Sequence, residues 1–284
     1  AETGNLPVEF GPDDKVVWKT PVPPGHSSPV LTSSRIFLTA SEDERLFTIC
    51  LDRRTGKILW RREALRPRRE NFHRTHGPAS PTPVTDGENV YVFFGDFGLL
   101  SYGPDGNERW RMPLGPFKNI NGHGTSPILA GGMLILVCDQ DAGSFMIALD
   151  PGNGTVRWKV DRLDVPRGYA TPGVFHPRNG KPQLIVPGAF VIISYDLATG
   201  EKLWWVNRMA WQLKSVPVMT EDTIFINAWE SGGGTMLPPF SEYLASYDAN
   251  GDKLLSPSEH PNPKQREPRS WTELDLDDDG FVNQ

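Results

Sequence analysis

Short apolar runs alternate with turn residues along most of this chain, and no helical periodicity longer than two turns appears before residue 240. The runs are about 5 to 7 residues long, which is the usual length of a strand in a globular protein. A Ser/Thr-Pro pair comes before such a run at Ser28-Pro29, Thr82-Pro83, Ser126-Pro127 and Thr171-Pro172. The pattern predicts an all-β protein made of antiparallel strands.

A glycine followed four residues later by a tryptophan recurs at intervals of 46 to 50 residues. The four pairs are Gly56/Trp60, Gly106/Trp110, Gly154/Trp158 and Gly200/Trp204. Each glycine follows Thr, Asp or Asn, so each pair predicts a tight turn that leads into a strand with a bulky aromatic side chain. A repeat of this length, with four short strands in each period, is typical of a β-propeller blade.

The repeat therefore predicts a β-propeller of four-stranded antiparallel blades. Four complete blades are expected at residues 27–60, 80–110, 124–158 and 168–204. Partial blades are expected at both ends, from Val16 to Trp18 and from residues 215–220 and 223–229. We assign residues 1–235 to the propeller and residues 236–284 to a small helical insertion. The lone strand at the start lacks partner strands, so we interpret the sequence as a fragment of a longer protein or as an open arc.

Composition and charge exclude some classes of protein. The formal net charge of -6 argues against a nucleic-acid binder. No apolar run approaches the length of a membrane span. Cys50 and Cys138 fall at different places in their repeats, so two buried free thiols are predicted rather than a disulfide.

The segment from Asp248 to Glu259 has the spacing of an EF-hand calcium loop. The predicted ligands are Asp248, Asn250, Asp252, the carbonyl oxygen of Leu254, and both carboxylate oxygens of Glu259. Apolar residues at helical spacing from Phe240 to Tyr247 predict the entering helix. Lys253 stands where the loop usually has glycine, so weakened affinity is expected.

A second loop of the same pattern begins 27 residues later. Its predicted ligands are Asp275, Asp277 and Asp279, and Gly280 occupies the position that Lys253 has in the first loop. The sequence ends at position 10 of this loop, so poor binding is expected there. The alternative interpretation of both stretches is a pair of solvated acidic turns.

With these residues in view, the chain resembles the pyrroloquinoline-quinone-like propeller family. The motif runs from Cys50 to Trp60, from Ala148 to Trp158 and from Ser194 to Trp204, and the copy from Tyr102 to Trp110 lacks its aspartate. The resemblance implies that the tryptophans dock between blades. It also implies export, to the periplasm or outside the cell. The family contains quinone-dependent alcohol and sugar dehydrogenases and also non-catalytic members, so the activity stays open.

Ligands of propellers usually bind at the mouth of the central channel, where each blade crosses to the next. One imidazole or aromatic residue lies before each inner strand, and these residues are His26, His76, His123, Tyr169 and Trp211. The longest predicted crossover loop, residues 61–80, carries six arginines, Arg61 and Arg62 among them, against two glutamates. Of the basic residues in the crossover loops, Arg68, Arg69 and Lys214 are the candidate ligand contacts. A funnel with a basic rim is predicted, and it would suit a protein partner or an anionic ligand. The alternative is that these loops form an ordinary solvated surface.

A dehydrogenase of this family is expected to have a catalytic aspartate in the channel, and its alcohol-oxidising members have a disulfide between adjacent cysteines. The chain has no adjacent cysteines, and its candidate aspartates Asp96, Asp139 and Asp141 have no recognisable companion set. These missing features favour a non-catalytic binding or scaffold propeller without pyrroloquinoline quinone. The EF-hand-like loops make calcium its predicted cofactor. The alternative is a quinoprotein alcohol or sugar dehydrogenase.

Overall fold

The computed structural model describes residues 7–228, 240–259, 275 and 279–282, and four four-stranded antiparallel sheets follow one another along the first of these ranges. Blade 1 comprises β1 (Val30–Leu31), β2 (Arg35–Glu42), β3 (Arg45–Asp52) and β4 (Ile58–Ala64). Blade 2 comprises β5 (Val84–Thr85), β6 (Val90–Phe94), β7 (Gly98–Tyr102) and β8 (Glu108–Pro113). In each sheet the strands lie in chain order, which confirms the predicted blades.

The next two sheets repeat this order. Blade 3 comprises β9 (Ile128–Ala130), β10 (Met133–Cys138), β11 (Phe145–Leu149) and β12 (Val156–Asp161). Blade 4 comprises β13 (Gly173–Phe175), β14 (Gln183–Gly188), β15 (Val191–Asp196) and β16 (Lys202–Asn207). Strands β17 (Val218–Met219) and β18 (Ile224–Phe225) begin blade 5. The helix α1 (Phe240–Tyr247) and a 3-10 turn at Pro257–Glu259 follow.

The outer strand of each blade continues beyond its tryptophan, where the sequence had predicted the strand to end. In blade 1, β4 pairs with β3 as far as Ala64, opposite Leu46. Arg61 and Arg62 therefore belong to this strand, and their assignment to the crossover loop was wrong. The reason is that an outer strand packs only one face on its neighbours, so polar residues are compatible with strand pairing there.

Apolar side chains from adjacent blades fill the interfaces, which we call seams and number by their two blades. Phe37 and Leu46 of blade 1 pack with Val92 and Tyr102 of blade 2 in seam 1/2. Separate clusters fill seams 2/3 and 3/4. The middle strands β6, β7 and β10 are buried along their whole length, because blades 2 and 3 have a neighbouring blade on both faces.

The Gly–Trp repeat forms the contact that joins one blade to the next. Gly56, Gly106, Gly154 and Gly200 all have φ between 71° and 76°. The last three lie against the tryptophan of the preceding blade, and Gly56 lies against Trp18. A Cβ atom at Gly106 would lie 2.8 Å from the indole of Trp60, so a larger residue would collide with it. The glycine thus serves both the left-handed turn and the close approach of the ring.

Trp60 and Trp110 are buried, as predicted, but Trp158 and Trp204 are only partly buried. The segment from Val16 to Trp18 is not a strand, yet the indole of Trp18 packs on Gly56 and donates a hydrogen bond to the carbonyl oxygen of Arg53 at 3.1 Å. Trp18 therefore occupies the docking position that a blade before blade 1 would fill. Cys50 and Cys138 are buried free thiols, as predicted.

Candidate functional site

The predicted funnel residues lie in the loops that connect consecutive blades, and several of them contact the neighbouring loop. One ring nitrogen of His76, Nε2, lies 2.8 Å from the carbonyl oxygen of His123. The amide of Asn121 donates a hydrogen bond to the hydroxyl of Tyr169 at 2.8 Å. Burial lowers the pKa of His76, and the nearby His26 and His73 lower it further. These loops therefore form a continuous row across blades 1 to 4.

His123 differs from the others because its imidazole is in the interior. Its ring centroid lies 4.2 Å from that of Phe117 and 5.6 Å from that of Phe93. Burial lowers the pKa of His123 to about 3, with smaller contributions from His76 and Arg68. Within the described residues, neither ring nitrogen has a hydrogen-bond partner. His123 is thus a neutral, buried ring that packs under the rim.

Trp211 has an aromatic and a cationic neighbour. Its ring lies 4.9 Å from that of Phe190, and the guanidinium of Arg167 stands 5.8 Å from the Trp211 ring centre. Phe190 has a φ of 60°, which is an unusual backbone conformation for a bulky residue. Two backbone hydrogen bonds between Phe190 and residues 209–210 hold it there. Lys214 is exposed and lines a small cavity with Gln212 and Ser215.

The arginines of the first crossover loop are held by acceptors of the chain itself. Arg68 donates to the carboxylate of Glu70 at 2.6 Å and to the carbonyl oxygen of Gly95 at 2.6 Å. Arg69 forms a short ion pair with Glu44, which also contacts Arg66. The excess positive charge counted in this loop is therefore largely compensated by acids from other loops. Arg69 remains at the surface, whereas Arg68 is mostly enclosed.

The three candidate catalytic aspartates are each paired with an arginine. Asp96 contacts Arg66 at 2.5 Å and accepts the backbone N–H of Glu70. Asp141 contacts Arg167 at 2.7 Å. These contacts hold the carboxylates in ion pairs between neighbouring loops.

Asp139 is completely enclosed with its partner Arg162. The guanidinium donates to both carboxylate oxygens, at 2.7 and 2.9 Å, and also to the hydroxyl of Tyr195. Burial alone would lower the pKa of Arg162, but the Asp139 carboxylate beside it raises it overall. A buried pair with two parallel hydrogen bonds is a structural element that fixes the geometry of this part of blade 3.

The first predicted calcium loop begins directly after α1 and is stabilised by its own acidic side chains. Asp248 accepts the backbone N–H of Gly251 at 2.7 Å and that of Lys253 at 3.0 Å. Glu259 accepts the N–H of Ala249 and that of Ser256, and these bonds lower its pKa. Lys253 has a φ of 64°, so the turn takes the left-handed conformation that glycine usually provides.

The described part of the second loop repeats this pattern. Asp275 accepts the N–H of Gly280, as Asp248 accepts that of Lys253 at the same loop position, and it also accepts the N–H of Asp279. Phe281 donates to Asp279 just as Leu254 donates to Asp252. Gly280 has a φ of 91°. Asp277 lies outside the described residues.

A two-residue antiparallel bridge joins the two loops. The N–H of Leu255 donates to the carbonyl oxygen of Val282 at 2.9 Å, and the reverse bond is 2.8 Å long. Both residues are at position 8 of their loops, so equivalent positions pair. In the conformation described, no three His, Cys, Asp or Glu side chains among the described residues are grouped as metal ligands.

Comparison with known proteins supports the interpretation of the blades. A family model described as outer membrane protein assembly factor BamB matches residues 47–177. The quinohemoprotein alcohol dehydrogenase of Comamonas testosteroni superposes with a TM-score of 0.52 at 14% identity, over 70% of this chain and 38% of its own. This likeness shows a shared propeller fold. No curated protein matches the chain.

Two further solved structures are similar at lower scores. BamB from Moraxella catarrhalis has a TM-score of 0.46 and 15% identity, over 76% of this chain and 61% of its own. The quinohemoprotein alcohol dehydrogenase ADHIIG from Pseudomonas putida HK5 has a TM-score of 0.49 and 13% identity, over 65% of this chain and 34% of its own. The chain thus spans between about a third and three fifths of these proteins. In its described parts, no helix has the length and apolar character needed to cross a membrane.

Proposed function

Because residues 47–177 carry the repeats of the pyrroloquinoline-quinone-like propeller family, we propose that this chain is a non-catalytic binding or scaffold propeller with a calcium-binding EF-hand segment. The proposal includes a location outside the cytoplasm, periplasmic or secreted, which a likeness to an outer membrane assembly factor favours. The bridge between Leu255 and Val282 is the observation that carries the calcium assignment. Two unrelated acidic turns have no reason to pair at equivalent positions with matching hydrogen bonds.

Calcium would be held by Asp248, Asn250, Asp252, Glu259 and the Leu254 carbonyl in the first loop, and by Asp275, Asp277 and Asp279 in the second. In this conformation the carboxylates bond to backbone N–H groups of their own loops. Calcium binding requires the Glu259 oxygens to turn toward the ion, at the cost of at least some of those bonds. Together with the side chain of Lys253 at positive φ, this supports affinity in the micromolar range or weaker.

Titration calorimetry of the intact chain tests the calcium site. The heat of binding should be lost in Glu259→Gln, which removes the charge of the residue expected to bind with both oxygens. The matched control is Glu242→Gln, because Glu242 lies in the first turn of α1, outside the loop. The assignment is wrong if calcium gives neither heat nor a rise in melting temperature, or if Glu259→Gln binds calcium normally.

The absence of catalysis in this proposal is supported by the pairing of the three candidate aspartates. A quinone-bound calcium needs carboxylate oxygens that are free to coordinate it, and a general base needs to accept a proton near neutral pH. Asp96 and Asp141 are each engaged by an arginine, so they do not fit either role. Burial raises the pKa of Asp139, but this carboxylate is wholly enclosed with Arg162 and is not accessible to a substrate or a metal ion. The family's quinone therefore has no fitting site among these carboxylates.

The second candidate function is that of a quinoprotein alcohol or sugar dehydrogenase. The structural likeness to a quinohemoprotein alcohol dehydrogenase supports this candidate. The decisive measurement is dye-linked oxidation of an alcohol and of a sugar, after incubation of the protein with pyrroloquinoline quinone and calcium. We expect no turnover above a control without protein. Turnover that disappears in Asp96→Asn or Asp141→Asn would establish the dehydrogenase instead.

The binding surface in this proposal is the loop row at the funnel, and its ligand is a protein or an anion. His26, His76, Tyr169, Trp211, Arg69 and Lys214 are exposed or partly exposed there. Binding of an acidic oligopeptide should weaken in Arg69→Ala/Lys214→Ala and stay unchanged in Arg178→Ala. Arg178 is an equally exposed arginine in the loop between β13 and β14. Equal binding by all three proteins would contradict the assignment.

A further inference from the structure

At seam 3/4 the docked tryptophan lacks the indole hydrogen bond that its counterparts form in seams 1/2 and 2/3. The indole N–H of Trp60 donates to the carbonyl oxygen of Pro104 at 2.8 Å, and that of Trp110 donates to the carbonyl oxygen of Pro151 at 2.9 Å. The indole N–H of Trp158 is buried and has no partner among the described residues. Its ring still packs on Gly200, so the ring is docked without its bond.

In seams 1/2 and 2/3 an arginine beside the docked tryptophan also bonds to the turn of the next blade, and Trp158 has no such neighbour among the described residues. Arg62, two residues after Trp60, donates to the carbonyl oxygen of Gly106 at 2.7 Å, and the equivalent residue after Trp158 is Val160. Arg109, just before Trp110, reaches across to the carbonyl oxygen of Pro151 at 3.2 Å.

Arg157, at the position before Trp158, instead pairs with Asp150 of its own blade. Among the described residues, no arginine next to Trp158 therefore reaches the docking turn of blade 4, and the arginine contact across this seam is that of Arg162 with the Tyr195 hydroxyl.

A groove of about 700 Å³ lies at this seam. Met133, Trp158, Pro182 and Leu197 supply apolar surface, and Lys181 stands at its edge with its side chain 84% exposed. The volume is within the range of small-molecule pockets.

The charges along this groove favour an anion. The carboxylate of Asp196 also lines the groove, but one of its oxygens accepts the N–H groups of Ala198 and Thr199. Its other oxygen lies 3.8 Å from Lys181, which is close enough for only a weak ion pair. The Lys181 ammonium is therefore available for a stronger anionic partner.

We propose that this seam groove is a binding site for a small amphipathic carboxylate, with its apolar part against Met133, Pro182 and the Trp158 ring and its carboxylate near Lys181. The site lies between blades 3 and 4, among the loops that join strands one and two or three and four of a blade. Those loops leave the sheets on the side opposite the crossover loops, because antiparallel strands alternate direction. The groove is thus separate from the funnel surface.

The test uses 4-phenylbutanoate as the probe and its uncharged amide as the matched control ligand. Indole N–H signals of the ¹⁵N-labelled protein are followed by NMR, and Trp158→Phe assigns the signal of Trp158. We expect a saturable shift of that signal with the carboxylate and at least about tenfold weaker binding of the amide, which corresponds to about 1.4 kcal/mol.

Two substitutions at exposed positions then locate the site. Lys181→Glu should weaken binding about tenfold or more by charge reversal, and Ala198→Phe should block the groove. Lys202→Glu is the control, because Lys202 pairs with Asp164 and does not line the groove. The proposal is overturned by no saturable shift, by equal binding of the amide, or by a Lys181→Glu variant that binds normally.

Discussion

The two tryptophans Trp110 and Trp158 occupy equivalent positions in their blades, yet the same substitution by phenylalanine should affect them differently. Trp110→Phe deletes a hydrogen bond of 2.9 Å to the carbonyl oxygen of Pro151. Net loss of such a bond costs about 1 kcal/mol. The carbonyl oxygen keeps Arg109 as a donor, so no orphaned acceptor adds to that cost.

Trp158→Phe removes a buried N–H that has no partner among the described residues. An unsatisfied buried donor costs about 1 to 3 kcal/mol, so its removal offsets part of the lost ring contacts. Trp158 is also less buried than Trp110, so its ring contacts contribute less to the free energy of unfolding. The free energy of unfolding should therefore fall by at least about 2 kcal/mol more in Trp110→Phe than in Trp158→Phe.

Urea unfolding followed by circular dichroism measures this difference. The comparison is valid if the two variants share the slope of the unfolding free energy against urea, since the midpoints then report stability alone. Equal destabilisation by the two substitutions would refute the reasoning, because it would mean that the indole N–H groups have equivalent partners in both seams. Greater destabilisation by Trp158→Phe would refute it more strongly.

Three further outcomes follow from the structure. Gly106→Ala should be more destabilising than Gly132→Ala by about 1 to 3 kcal/mol. Both glycines have positive φ, but a Cβ at Gly132 meets nothing within 4 Å, whereas one at Gly106 collides with Trp60; thermal unfolding measures this difference. Burial of His123 contributes stability above about pH 6.5 that is lost as the pH falls toward 3, because the unfolded chain binds a proton that the folded chain does not. His123→Phe should therefore flatten the pH dependence of the unfolding free energy between pH 6 and 4 by up to about 1.4 kcal/mol per pH unit. Calcium should raise the melting temperature of the native chain and leave that of Glu259→Gln unchanged.

The sequence predicted the blades well because their determinants are local. Glycine at a left-handed turn and tryptophan four residues later recur at even spacing, and both can be read without knowing any long-range contact. The sequence indicated only one of the two reasons for the glycine of each repeat. Its turn conformation was predicted, whereas the ring that lies against it comes from the preceding blade, about 40 to 50 residues earlier.

The charge of the candidate funnel could not be predicted in the same way. Counting residues along the first crossover loop gave a strongly basic rim, but ion pairs depend on partners from other parts of the chain. Glu44 comes from the hairpin between β2 and β3, and Asp96 follows β6 of the next blade. A local count is reliable only for groups whose neighbours in space are also neighbours in sequence.

The two predicted calcium loops show that a weak sequence motif is better supported when its two copies contact each other in the structure. Each loop alone is a short acidic turn, and carboxylates that bind their own backbone N–H groups are common in such turns. The pairing of Leu255 with Val282 adds a constraint that the separate motifs do not contain. Position 8 of one loop must meet position 8 of the other for this bridge to form. A ligand that reorganises the first loop would therefore act on the second through the same two hydrogen bonds.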